Sequence, residues 1–406
     1  MYADELWRAV REAGEFEAVF ITKVGPPHSK HRPHADTRFA LAGDIPGLYH
    51  FYTSGTEFDR VMGSARSKRI YTEDWRGFLQ AYRPDVVHFH HATWLGYDMI
   101  RETRRTLPAA AIVYTLHDFN PICHHNGQMV LKETLGLCDR SSPRRCHHCF
   151  PDVSAQKFFL RTNFVRSAFE LVDMCIAPSD HARRRFIEWG LAPEKIVHQN
   201  YGRLPQTRLP DPPDAGRRGR LAFFGQITQF KGVDVLLEAM KILAPEQLDV
   251  QLLLYGANLE HQRTDVRGRI ESLLEETADS VRFRGRYEQS QLPALLSDVD
   301  WVIVPSIWWE TGPLVIHEAL MHARPVICSD IGSMVERIDD GVNGLHFRVG
   351  DPTSLADAIR RAVGTPGLWS ELQNGIAPPH SMEDHLPIIT GIYNELLARR
   401  EHPALV

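Results

Sequence analysis

Residues 305–320 read PSIWWETGPLVIHEAL. The four apolar residues before them, Trp301–Val304, form a short strand buried on both faces, which ends at Pro305. A short loop follows. A helix is expected to begin near Pro313, with Thr311 and Gly312 at the cap positions and proline at the first helical one. Ligands bind at the C-terminal ends of parallel strands, and a helix N-terminus offers unpaired N–H groups to phosphate or sugar oxygens. Glu318 lies inside this helix among Val315, Ile316, Ala319 and Leu320. A carboxylate on such an apolar segment needs a partner, and a ribose diol can donate two hydrogen bonds to it.

The same strand–loop–helix grammar runs outward in both directions. Upstream, Leu221–Gly232 reads LAFFGQITQFKG, a strand and a loop with Lys231–Gly232 opening a helix. A lysine there is placed to meet a pyrophosphate, where a charge-assisted hydrogen bond is worth about 1.5–3 kcal/mol. Further strand-like runs are 18–22, 48–52, 85–89, 111–116 and 174–177 in the first half. In the second half they are 250–254, 281–283 and 325–328, with helical patterns at 233–243, 266–277 and 355–363. This alternation predicts an α/β protein of two facing Rossmann-like, doubly wound domains. The break is LPQTRLPDPPDAGRRGR, residues 204–220, with four prolines and no apolar period. The expected layout is an N-terminal domain over 1–203, a linker over 204–219 and a C-terminal domain over 220–375. The remaining 376–406 would form a helix.

The chain opens in an amphipathic helix, with Ala3, Leu6, Ala9 and Val10 on one face and Gly14 as its stop. A doubly wound domain ordinarily opens with a strand and a glycine-rich turn. The N-terminal domain is therefore expected to lack its first strand.

Composition narrows the classes of function. The 406 residues carry 46 basic and 51 acidic side chains, a formal net charge of −5, and are 43% hydrophobic. That balance offers nothing to a general nucleic-acid binder, so no nucleic-acid partner is expected. No stretch approaches the roughly 18 apolar residues that span a bilayer, and the N-terminus lacks an apolar signal region. A cytoplasmic location is the resulting expectation. The six cysteines are then thiols or metal ligands rather than disulfides.

Together these residues resemble the retaining glycosyltransferases of the GT-B fold called family 4. Glu310 and Glu318 match the family's two glutamates with seven residues between them. Lys231–Gly232 matches its Lys-Gly, Gly256 its glycine after the second strand, and Pro305–Ser306 its strand end. The run VICSDIGSMVERIDDGVNGLHF, with Glu336 and Gly344, resembles the segment that closes the donor pocket. The resemblance covers nearly the whole chain and implies a nucleotide-diphosphate sugar as donor. Glu318 would hold the ribose and Glu310 the sugar hydroxyls. Lys231 would bind the diphosphate, with Gly225, Gln226 and Gly256 beside it. The amides of Gly312 and Leu314, with Thr311 and Pro313, would line the sugar or phosphate. No catalytic metal is required, since Lys231 and the helix N-terminus stabilise the leaving charge. The last helix, near 386–399, would cross back to the first domain. A glycan or lipid-linked acceptor in envelope polysaccharide synthesis, with peripheral contact at the inner membrane face, is the implied setting. Gln226 departs from the pattern, standing where the family commonly has arginine. It motivates one alternative, a sugar-nucleotide-binding partner impaired in catalysis; a GT-B sugar-nucleotide epimerase is the other.

In the first half, YTLHDFNP places His117 at a strand end, and it matches a family histidine that faces the donor sugar. The ordinary alternative is a structural histidine bonded to backbone. Asp118 either orients it or caps the loop, and Ser179 is read first as a helix cap. The loop 25–39 holds His28, His31 and His34 among Lys30, Arg32 and Arg38; a basic acceptor-contacting loop and a plain surface loop fit it equally. Cys123, Cys138, Cys146 and Cys149 cluster in the stretch 123–149, the last two as C-x-x-C. Four soft ligands suit tetrahedral zinc, with an iron–sulfur cluster as the other candidate and unligated thiols as the bland one. Cys175 and Cys328 sit in apolar strands as core thiols.

Overall fold

The structure, a computed structural model, describes residues 2–25, 38–53, 57–212 and 218–401. The chain divides into two compact units, Met1–Leu204 with His380–Val406, and Pro205–Pro379. Among the described residues no helix is long and apolar enough to cross a membrane.

The first unit begins with helix α1 (Tyr2–Ala13), whose first turn carries Asp4 and Glu5 and whose last carries Arg11, complementing the helix dipole. Gly14, at φ +72°, ends it. The buried face is Tyr2, Leu6, Trp7 and Val10. It is thus rotated toward the two aromatic residues and away from the expected Ala3 and Ala9, because the large rings bury more apolar area. Three strands follow, β1 (Phe20–Val24), β2 (Phe39–Leu41) and β3 (Leu48–Tyr52), in the order β1-β3-β2, with β1 parallel and β2 antiparallel to β3. A small hairpin, β4 (Phe58–Asp59) and β5 (Ser64–Ala65), leads through a π-helical turn to α2 (Arg76–Tyr82).

A separate parallel sheet comes next. It contains β6 (Val86–Phe89), β7 (Ala111–Thr115), β8 (Met174–Ala177) and β9 (Ile196–His198), in that spatial order. Its crossovers carry α3 (Asp98–Thr106), α4 (Pro143–Cys149), α5 (Ala155–Phe169) and α6 (Asp180–Trp189). β7 and β8 are buried throughout, as continuous apolar runs demand. β1 and β6 are the edge strands of their respective sheets, and a cavity of about 620 Å³ is lined by both.

The second unit is one six-stranded, all-parallel sheet. Its strands are β10 (Arg220–Phe224), β11 (Gln251–Tyr255), β12 (Val281–Gly285), β13 (Trp301–Val304), β14 (Val326–Ser329) and β15 (Gly344–Phe347). The spatial order is β12-β11-β10-β13-β14-β15. The helices are α7 (Val233–Leu243), α8 (Thr264–Glu276), α9 (Leu292–Leu296), α10 (Leu314–Met321), α11 (Pro352–Gly364) and α12 (Leu368–Asn374). α7 and α11 pack together over the sheet, burying Leu236, Leu237, Met240, Leu355 and Ile359 with Leu221, Leu252 and Ile303. Each such side chain removed from water contributes about 1.5–3 kcal/mol before conformational entropy is subtracted. The proline-rich stretch is laid along this unit: the Pro210 carbonyl accepts from Arg324, Asp211 from Gln373 and Gln206 faces His322.

The chain then continues into α13 (Met382–Glu401), which packs on α1 of the first unit. The Tyr2 hydroxyl lies 2.7 Å from His385 Nε2, and Asn394 donates to Glu15.

Candidate functional site

The order of the second sheet sets where a ligand can enter. The chain winds outward from β10 to β11 and β12, then returns to lay β13 on the other side of β10. The crevice outside the C-terminal ends of β10 and β13 is therefore the topological switch point. Lys231 follows β10 and Glu310 follows β13.

Gly232 brings these two loops together. It holds φ at +66°, and a Cβ there would stand 1.9 Å from the Pro305 carbonyl oxygen. Only glycine permits that approach and that dihedral. The Ile307 amide donates to the Phe230 carbonyl at 3.0 Å, tying the loops further. Lys231 closes a 3₁₀ turn, Gly232 caps α7, and Lys231 Nζ donates to Glu310 Oε1 at 2.7 Å. The same oxygen accepts from Ser306 Oγ at 2.7 Å and from Trp308 Nε1 at 2.9 Å. Ser333 Oγ donates to the Glu310 carbonyl. Glu310 is 5% exposed, and its Oε2 makes no hydrogen bond among the described residues. The lysine ammonium lies 5.4 Å from the Trp308 ring centroid, a cation–π distance.

The helix after this loop starts one residue later than expected: Pro313 is the cap and Leu314 the first helical residue of α10. Proline's fixed φ is satisfied at the cap, where its ψ of 109° is extended. Thr311 and Gly312 belong to the loop. The amides of Leu314 and Val315 find no acceptor among the described residues, so two donors stand open at this end. One turn on, Glu318 is 6% exposed and accepts from Gln289 Nε2 at 2.7 Å. Tyr287, in the loop after β12, is pushed up to about 12 by burial and by the Glu318 charge, so it remains a neutral phenol.

Gly225 and Gly256 sit at the neighbouring strand ends. A Cβ on Gly256 would meet the Gly225 carbonyl oxygen at 2.2 Å, so the β10 and β11 loops also touch only through glycine. Gln226 is exposed, and its side chain makes no bond among the described residues. Every residue expected at the donor site thus lies on one edge of one sheet. Sequence reasoning missed Gln289, Trp308 and Ser333. The loop aromatic Trp308 was a readable signal; the other two act from loops whose proximity only the sheet order reveals.

Two family models match the chain, "Glycosyltransferase Family 4" over residues 2–198 and "Glycosyl transferases group 1" over residues 218–364. This chain belongs to the family 4 glycosyltransferases. It is similar to the D-inositol 3-phosphate glycosyltransferase of Salinispora arenicola, 28% identical over 392 residues, covering 92% of this chain and 81% of that one. Three other curated relatives, the first of them an alpha-D-kanosaminyltransferase of Streptomyces kanamyceticus, align over less, the match spanning 33% to 59% of their own length. Among solved structures, sucrose-phosphate synthase from Thermosynechococcus elongatus has TM-score 0.73 at 19% identity, covering 98% of this chain and 93% of that one. The Anabaena protein HepE, solved with UDP and glucose, has TM-score 0.59 at 18% identity, covering 79% and 81%. These likenesses fix the fold as GT-B, built from two Rossmann-like units.

In this family 4 chain the first unit's His117 is held on both sides. Its Nδ1 lies 2.7 Å from the Tyr201 hydroxyl and its Nε2 3.0 Å from His90 Nδ1. His88 bonds the Tyr393 and Thr115 hydroxyls. Burial drives the basicity of His88 and His117 well below the ordinary imidazole value and takes His90 down to about 3. Asp118 does not orient His117; it accepts from the Asn120 amide, capping the loop, and faces His91 at 3.4 Å. Ser179 caps α6, accepting from the Ala182 amide. The histidines at 28, 31 and 34 lie outside the described residues; Arg38, at that loop's end, pairs with Glu57 and Asp74.

No disulfide joins any of the six cysteines among the described residues. Cys123, Cys138, Cys146 and Cys149 line one cavity of about 30 Å³, with Cys146 and Cys149 on one face of the Ser142-capped α4. Among the described residues, however, no group of three or more His, Cys, Asp or Glu is placed to hold a metal ion. The zinc or iron–sulfur expectation therefore finds no support in the geometry. Burial pushes the Cys123 thiol up to about 11 and raises Cys138 and Cys146, which favours thiols. Cys175 and Cys328 are fully buried in β8 and β14.

Proposed function

We propose that this chain transfers a sugar, with retention at C1, from a nucleotide-diphosphate sugar to a glycan or lipid-linked acceptor of envelope polysaccharide synthesis. The observation that carries the reading is the Lys231–Glu310 pair at the switch point, 2.7 Å long, with Glu310 in the loop that leads into the open amides of α10. The donor is a dianion, so heterolysis of its C1–O bond leaves a nucleoside diphosphate trianion, which the acceptor proton returns to a dianion. Lys231 and the α10 N-terminus neutralise it as the C1–phosphate bond breaks. The acceptor oxygen bonds C1 on the same face, and its proton passes to the departing phosphate oxygen, so charge and atoms balance. Glu310 Oε2 accepts from sugar hydroxyls, while Glu318 turns from Gln289 to the ribose diol. HepE, solved with UDP and glucose, supports the class of donor.

Gln226 favours a second reading, a binding partner that holds the donor without transferring it. Incubating the purified chain with a panel of nucleotide sugars and membrane-extracted acceptors, then resolving the products by mass spectrometry, separates the two. A glycosylated acceptor supports transfer. Donor bound but never consumed supports the second reading, and epimerised donor without acceptor contradicts both.

A further inference from the structure

A cavity of about 240 Å³ opens in the first unit, at the C-terminal edge of the β6–β9 sheet. The loops after β6 and β7 wall it with Thr93, Trp94, Asn120 and Asn126, and two arginines, Arg60 and Arg161, line it as well. Arg161, on α5, is 5% exposed. Two of its nitrogens donate to the Asn120 and Pro121 carbonyls, and its Nε is buried without a hydrogen-bond partner. No carboxylate stands within ion-pair distance of it among the described residues. The nearby acids are engaged elsewhere: Asp59 accepts from the Val61 and Met62 amides and faces Lys157, and Asp118 caps its own loop. A buried cation lacking a counter-charge is costly, so its retention asks for an anion.

Arg60 supplies the second charge. It is exposed, lies 5.2 Å over the Trp94 ring and donates to Asn126 Oδ1 at 2.8 Å. Trp94 and Asn126 both hold left-handed backbone, at φ +63° and +49°. Strain of this kind gathers where loops are shaped around a ligand. The two arginines also hold neighbouring His124 neutral, with burial the larger cause, at about 4. The cavity is smaller than a drug-sized site of roughly 300–1,000 Å³, so it admits a small anion or the anionic end of a longer molecule.

The geometry points to a phosphate-binding pocket, formed by Arg161 and Arg60 and framed by Trp94, that takes a phosphate group of the acceptor. Two guanidinium groups match a phosphate dianion in charge and in bond-donor geometry. The acceptor assignment rests on the transferase reading; the phosphate binding does not.

Thermal unfolding of the full chain is followed with inorganic phosphate, with sodium chloride and with sodium acetate at matched ionic strength. The wild type and Lys231→Ala, whose donor site is crippled, are both expected to gain several degrees in phosphate alone. Arg161→Met and Arg60→Ala are expected to lose most of that gain. Arg60 is exposed, so its variant decides the matter if Arg161→Met fails to fold. The proposal is overturned if phosphate still stabilises Arg60→Ala fully, if Lys231→Ala abolishes the response, or if acetate matches phosphate. Phosphate binding retained in a chain that transfers no sugar would sink the transferase reading and leave the pocket standing.

Discussion

Lys231 and Glu310 are 79 residues apart in sequence, yet their charged ends meet at 2.7 Å across the point where the second sheet reverses its winding. On the proposed transferase reading, the lysine would turn to an incoming diphosphate while the carboxylate kept its Ser306 and Trp308 bonds.

Lys231→Ala should weaken nucleoside diphosphate binding by roughly tenfold to a hundredfold, the worth of one charge-assisted bond of about 1.5–3 kcal/mol. Isothermal titration reads this directly. An unchanged dissociation constant would remove Lys231 from the site.

Glu310→Gln should divide rate from affinity. The amide keeps the size of the side chain but loses the anion that accepts from sugar hydroxyls. kcat is expected to fall at least tenfold while the Kd for the bare nucleoside diphosphate moves less than threefold. Equal losses in both would mean that Glu310 only props up Lys231.

Gly232→Ala tests the hinge between the loops. The new Cβ would stand 1.9 Å from the Pro305 oxygen at a φ of +66°, so backbone must move. Strain of this kind costs on the order of 1–3 kcal/mol. Chemical denaturation should show that loss, with donor affinity falling alongside it.

The histidine cluster gives the first unit an acid-side weakness. His90 has a folded value of about 3, and His88 and His117 lie well below the ordinary 6.5, so the unfolded chain binds protons more readily. Their neutral forms contribute stability that is whole above about pH 6.5 and is lost as pH falls toward the folded values, by up to about 1.4 kcal/mol per pH unit for each group. Urea midpoints at pH 7.5, 6 and 5 should fall in that order, and replacing His90 by Gln should flatten the slope.

The strand-and-helix alternation was readable because the buried strands are continuous apolar runs. β13, for example, was expected and found at Trp301–Val304. β15 was not recognised as a strand, since GLHF opens on glycine and carries a half-exposed histidine, leaving no periodic signal. β9, only three residues long, was missed for the same reason. The positions of the residues proposed for the donor site were legible because they follow strand ends: Lys231 follows β10, Gly256 β11, and Glu310 and Glu318 β13. Their mutual bonds were not, since Gln289 reaches Glu318 only through the order of the strands. His117 shows the opposite limit. Its place at a strand end was legible, but its partners Tyr201 and His90 are set by tertiary packing.

The most direct measurement is the affinity of Glu318→Ala for whichever nucleoside diphosphate stabilises the wild type most in a thermal-shift screen. Glu318 is separate from the Lys231 charge pair and is assigned to the ribose, so its loss should raise Kd at least tenfold for the nucleoside diphosphate. Inorganic pyrophosphate, which has no ribose, should bind as before. Wild-type affinity for the nucleotide in that variant would contradict a donor site at this sheet edge.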